Sequence, residues 1–148
     1  MKQARSLLAG GESFALSIYC GGLAVESLLR AFRWVEDDSF EGRHDLNDLL
    51  KASQLLRIDD EYLRGRRASE EEVRQSNLII RGALIEVASR WHNNLRFASE
   101  ATMVAYLKQT GNTQGVRGNP LKKNAQVLIE ASQIIVSRGE ILWTSRRR

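Results

Sequence analysis

The chain has 148 residues, 43% hydrophobic and 27% charged, enough for one globular domain with its own core and too apolar for wholesale disorder. A single proline and little apolar–polar alternation among β-branched residues argue against a β-sandwich, and a lone cysteine excludes an internal disulfide. The net charge of +4 is mild, but arginine clusters at Arg64, Arg66 and Arg67 and again at Arg146, Arg147 and Arg148, and its planar fork suits phosphate.

In chain order, Lys2 to Ala9 reads as a short helix stopped by Gly10-Gly11. Phe14, Ile18, Val25, Leu28, Leu29 and Phe32 then recur at the spacing of one helical face, predicting a long helix to about Trp34. Gly21 and Gly22 interrupt that face, and glycine's cost inside a helix implies that another backbone approaches there. Cys20, on the same helix, reads as a buried, reduced small hydrophobe. No window reaches about 18 uninterrupted apolar residues, and the N-terminus is too weakly apolar for a signal peptide, so a cytoplasmic protein is expected.

An acidic connection from Glu36 to Gly42 leads to a third helix near His44 or Asp45, with Leu46, Leu49 and Leu50 on one face. Leu55, Leu56 and Ile58 suggest a helical turn before a charged link from Asp59 to Ala68. Ser69 followed by Glu72 is a capping box, opening a helix that runs through Ile80 and Val87 to Trp91 and breaks near Gly82. Ser99 to Thr110 continues or restarts it. Gly111 to Gly118 is a loop; Asn119 caps the last helix and Pro120 takes its first position. Leu121, Leu128, Ala131, Ile134, Ile135, Arg138 and Leu142 give that helix its stripe. The expected architecture is a single all-α domain over 1–148, an up-and-down bundle of about four or five main helices.

Three pieces carry a resemblance: Leu7, Leu8, Gly11, Ala15, Tyr19, Gly22, Ala24, Val25, Glu26, Leu29 and Arg30; then His44-Asp45-Leu46 with Leu49-Leu50; then Trp91, Asn94, Leu95, Arg96 and Phe97. In this order, over roughly the first two thirds of the chain, they resemble the HEPN domain (higher eukaryotes and prokaryotes nucleotide-binding). The resemblance implies a bundle with two long antiparallel helices, commonly dimeric. Many members are RNases of toxin–antitoxin or antiviral systems; others pair with small nucleotidyltransferases or have lost catalysis. Active members carry an Arg-x4-6-His motif that cleaves RNA without metal through the RNA's own 2′-hydroxyl. Here the only histidines are His44, directly preceded by Arg43, and His92, with Arg90 two and Arg81 eleven positions upstream, so that motif is missing.

No catalytic residue is therefore assigned. The expected ligand-facing patch is Arg90, His92, Asn93 and Arg96, with His92 and Arg96 one helical turn apart on a shared face. Arg64, Arg66 and Arg67 would supply electrostatic attraction. Glu26, if buried, needs Arg30 or Arg96 as partner, in an ion pair tying two helices. His44 would cap or pack at a helix start, and Trp34, Trp91 and Trp143 are expected in the core or an interface. Two histidines and one cysteine make no recognisable metal set, and no glycine-rich phosphate loop is present, so no metal or cofactor is expected.

The function expected is that of a non-catalytic, RNA- or nucleotide-associated accessory module of a bacterial toxin–antitoxin or defence system, acting as a homodimer. The competing readings are a noncanonical metal-independent RNase using His92 with Arg90 or Arg96, and a protein-interaction subunit partnering a nucleotidyltransferase or an antitoxin.

Overall fold

A glycine ends the first helix as expected. Gly11 takes the left-handed conformation (φ 67) after α1 (Lys2–Gly10) and donates its N–H to the Leu7 carbonyl at 3.1 Å. The computed structural model describes residues 1–11, 13–36 and 45–146, and among these it is all-helical: seven α-helices, one 3-10 segment and no strand.

α2 (Phe14–Glu36) buries Ile18, Val25, Leu29 and Phe32 completely, and the Ser17 hydroxyl ties it to α1 by donating to the Ala4 carbonyl at 2.9 Å. By length and mean hydropathy (1.3 over Phe14–Val35) this helix is apolar enough to cross a membrane. In the fold Ile18, Val25, Leu29 and Phe32 lie in the core, while Leu16, Leu23, Trp34 and Val35 of the same helix are exposed. Cys20 is half-buried rather than buried, and burial pushes its thiol pKa up.

Asp45 caps α3 (Leu46–Ser53), its Oδ1 accepting the N–H groups of Asn47 and Asp48 at 2.9 Å each. Gln54, at φ 53, turns the chain into α4 (Leu55–Gly65). The expected charged link is therefore a helix through Gly65. Its charges face two ways: Arg57 and Glu61 form an exposed i,i+4 pair, while Asp59 is wholly buried beside Ile58.

The capping box at the head of α5 (Glu70–Arg90) is present, with Ser69 Oγ accepting the Glu72 N–H at 3.3 Å and Glu72 Oε2 accepting the Ser69 N–H at 2.7 Å. That backbone bond, together with the Ser69 hydroxyl, holds the Glu72 carboxyl below the usual range. A depressed carboxyl stabilises fully above its unfolded pKa, about 4.3, and loses that contribution as pH falls through the lower folded value. Ser69→Ala should cost about 1 kcal/mol in urea denaturation at neutral pH. The stability gap between wild type and Glu72→Gln should close as pH drops below about 4. α5 does not break at Gly82; the helix runs through it unchanged.

The 3-10 segment Asn93–Phe97 comes next, then α6 (Glu100–Gln109), whose cap Ser99 accepts the Thr102 N–H at 3.2 Å. α7 (Pro120–Arg146) opens with Asn119 Oδ1 accepting the Lys122 N–H at 3.1 Å. Ile134, expected in its buried stripe, is 43% exposed.

α7 organises the bundle, packing most extensively on α2 and then on α5. It runs parallel to α2, since Gly21 lies against Leu128 and Ile129 while Leu28 lies against Gly139. It is antiparallel to α5, because Arg90 meets Asn124 at one end and Ser76 and Arg138 both meet Asp59 at the other. The Gly21–Gly22 pair does mark a close approach, but of side chains and not of another backbone. A Cβ on Gly21 would collide with Leu128 and Ile129, and one on Gly22 would fall inside the Trp91 indole. Trp91 is 2% exposed, and its Nε1 donates to the Tyr19 carbonyl at 3.1 Å.

Candidate functional site

The docking of Trp91 against Gly22 sets the path of the residues after it. α5 ends at Arg90, and Trp91 leaves in extended conformation (φ −132, ψ 139) to bury its ring. His92 therefore caps a 3-10 segment and does not continue the helix, its Nδ1 accepting the Asn94 N–H at 3.1 Å. The expectation that His92 and Arg96 share an α-helical face is thereby corrected. With Nδ1 accepting, Nε2–H is the ring's donor.

The segment ends in an exposed cation–aromatic pair. Phe97 is 89% exposed, more than any other large hydrophobic among the described residues, and the Arg96 guanidinium lies 5.2 Å from its ring centroid. Beside it a cavity of about 250 Å³ runs back between Tyr19, Leu95, Arg96 and Glu100. Asn93 is half-buried and His92 exposed. The sequence marks Arg96 and His92 but gives Phe97 no role. A phenylalanine beside arginine is an ordinary core pattern until the fold shows the ring in water.

Arg90 sits in the same stretch of sequence but faces inward. Its Nε donates to Asn124 Oδ1 at 2.9 Å, and its Nη1 bonds to the Glu86 carbonyl at 3.0 Å, to the Glu86 carboxylate and to Ser89 Oγ. Asn124 in turn donates to the carbonyls of Asn112 and Pro120 at 2.9 Å, and Asn112 to that of Ser89 at 2.8 Å. This network fastens the end of α5 and the glycine-rich loop to the start of α7.

Arg64, Arg66 and Arg67 lie at the opposite end of α5, whose 21 residues span roughly 30 Å, so they and the 3-10 tip are separate surfaces. Arg64 makes a two-pronged bond to Glu70 (3.1 and 3.0 Å), which holds the Glu70 carboxyl below its usual range. Arg66 donates to the Tyr62 hydroxyl at 3.0 Å, and Arg67 is left-handed at φ 62.

Next to Arg66, an open cavity of about 650 Å³ is bounded by Tyr62, Ser137, Glu140, Ile141 and Thr144. Behind its Tyr62 wall is a buried polar cluster that the sequence did not reveal. Asp59 accepts from Ser76 Oγ at 2.5 Å and from Arg138, whose guanidinium lies 5.2 Å from the Tyr62 ring centroid.

Glu26 is buried and pairs at 2.7 Å with Arg30, one of its two expected partners, one turn along the same helix. His44 lies outside the described residues. Trp34 is 67% exposed, Trp91 is core, and Trp143 makes an edge contact with Phe32 at 5.3 Å. Among the described residues no three of His, Cys, Asp and Glu gather as a metal site.

Comparison with protein-family models, with curated proteins and with solved structures finds no match. At the 3-10 tip the geometry offers a stacking surface, a guanidinium and an imidazole donor within one short exposed segment.

Proposed function

We propose that the chain is a HEPN-like domain that binds single-stranded RNA or nucleotides without cleaving them, as an accessory component of a bacterial toxin–antitoxin or defence system. In this reading it works in the cytoplasm as a homodimer. The observation that carries the reading is Phe97, an aromatic ring held almost wholly in water with Arg96 on its face. An exposed ring offers a base a π-surface, and the neighbouring guanidinium offers its phosphate a partner. The missing Arg-x4-6-His motif, and the commitment of Arg90 to Asn124 and Glu86, support binding over catalysis.

The test is fluorescence anisotropy with a labelled single-stranded RNA. Affinity should fall as salt rises through counterion release. Phe97→Ala should lose about tenfold, the value of one stacked base. Arg96→Ala should weaken binding and flatten the salt dependence, while Arg90→Ala should act on melting temperature. Absence of binding at low salt would transfer the assignment to a protein-interaction subunit partnering a nucleotidyltransferase or an antitoxin. Metal-free cleavage leaving 2′,3′-cyclic phosphate ends, lost with His92→Ala, would make the tip an RNase site.

A further inference from the structure

Gly82 stands in the middle of α5, exposed to solvent, with nothing within 4 Å of where a Cβ would sit. Glycine inside an exposed helix costs about 1 kcal/mol relative to alanine. Neither a positive φ nor an intramolecular neighbour accounts for it here. It is set between two large apolar side chains on the same face: Leu78, 56% exposed, four residues before it, and Ile85, 63% exposed, three after. Arg74 and Arg81 extend that stripe at helical spacing.

Facing Arg81 is the corner between α3 and α4. Leu50, Lys51, Gln54, Leu56 and Arg57 line with Arg81 a cavity of about 300 Å³. Three of its six lining residues are cationic and none is acidic, so it carries positive charge over a leucine floor. Arg57 and Arg74 are partly neutralised by Glu61 and Glu71. Lys51 and Arg81 form no ion pair among the described residues.

We infer that this groove docks an acidic, amphipathic helix of a partner protein. The partner's apolar side would cover Leu78 and Ile85, with Gly82 allowing the two helices to approach closely, and its carboxylates would meet Lys51 and Arg81. Charge complementarity selects an acidic occupant. The two aliphatic side chains select protein over nucleic acid, because a phosphate backbone would satisfy the cations and leave Leu78 and Ile85 uncovered. The groove shares no residue with the 3-10 tip, so the two assignments stand or fall separately.

The experiment uses the full chain at low salt with two labelled synthetic helices: one with leucine on one face and glutamate on the other, and its twin with lysine for glutamate. The acidic helix should bind at least about tenfold tighter than the basic one, and Leu78→Glu should remove about tenfold of that affinity. Arg81→Glu should shift the preference toward the basic twin. Gly82→Ala should weaken peptide binding while raising the melting temperature, a combination that a purely structural glycine would not give. Equal binding of the twins, no binding of either, or indifference to Leu78→Glu would overturn the inference. So would single-stranded RNA that displaces the acidic helix and itself loses affinity with Leu78→Glu, since that result assigns the groove to nucleic acid.

Discussion

Gly22→Ala is expected to destabilise the domain by about 3 kcal/mol, against the gain of about 1 kcal/mol that alanine normally brings to a helix. The new methyl would occupy the space of the Trp91 ring. That ring cannot slide away, because its Nε1 is bonded to the Tyr19 carbonyl and the side chain is enclosed by the core. Trp91→Ala should cost about 3–5 kcal/mol through the cavity it leaves. The two changes should be strongly non-additive: with Trp91 removed, a methyl on Gly22 enters empty space and becomes neutral or stabilising. A double-mutant cycle in urea measures this directly. Additive losses would show that the glycine and the indole do not share the space assigned to them. Loss of this contact should also free the chain after Arg90, so RNA binding at the 3-10 tip should fall in Gly22→Ala even where the protein remains folded.

The second large effect concerns Arg138. Asp59 has no solvent exposure, and its oxygens are held by Arg138 and Ser76, which joins α4, α5 and α7 through one carboxylate. Arg138→Met leaves that charge buried with only a hydroxyl for company and should cost about 3–5 kcal/mol. Against the usual 5–15 kcal/mol of a small domain this is a large fraction. Asp59→Asn combined with Arg138→Met should recover much of the loss, because the uncompensated charge is gone. Chemical denaturation of the two single variants and the double separates the outcomes. A double variant no more stable than Arg138→Met would mean that the ion pair is not what joins these helices.

The readable parts of the fold are those whose cause is local. Ser69 and Glu72, Asp45, Asn119 before Pro120, and Gly11 each satisfy backbone groups within one turn, and each marks a helix end where the sequence predicts it. The apolar spacing of Ile18, Val25, Leu29 and Phe32 likewise finds the core face of α2. Reading fails where the cause is distant. Asp59 looks like part of a solvated link because its partner Arg138 lies 79 positions away. His92 and Arg96 look like helical neighbours because nothing within a few residues of Trp91 shows that its indole is held by Gly22 and Tyr19.

The candidate site divides in the same way. Local chemistry singles out Arg90, His92, Asn93 and Arg96 as a group, but burial sorts them, turning Arg90 toward Asn124 and leaving Arg96 in water over Phe97. Glu26 finds Arg30 one turn away, as short-range spacing allows.

The order of residues is enough to make the chain helical, to start most of its helices and to choose the faces they bury, because caps and apolar periodicity act over a few residues. Which charges are buried, which aromatic is expelled and which glycine lacks an internal reason emerge only when the helices pack. Each depends on whether a residue remote in sequence arrives to fill the space or satisfy the charge.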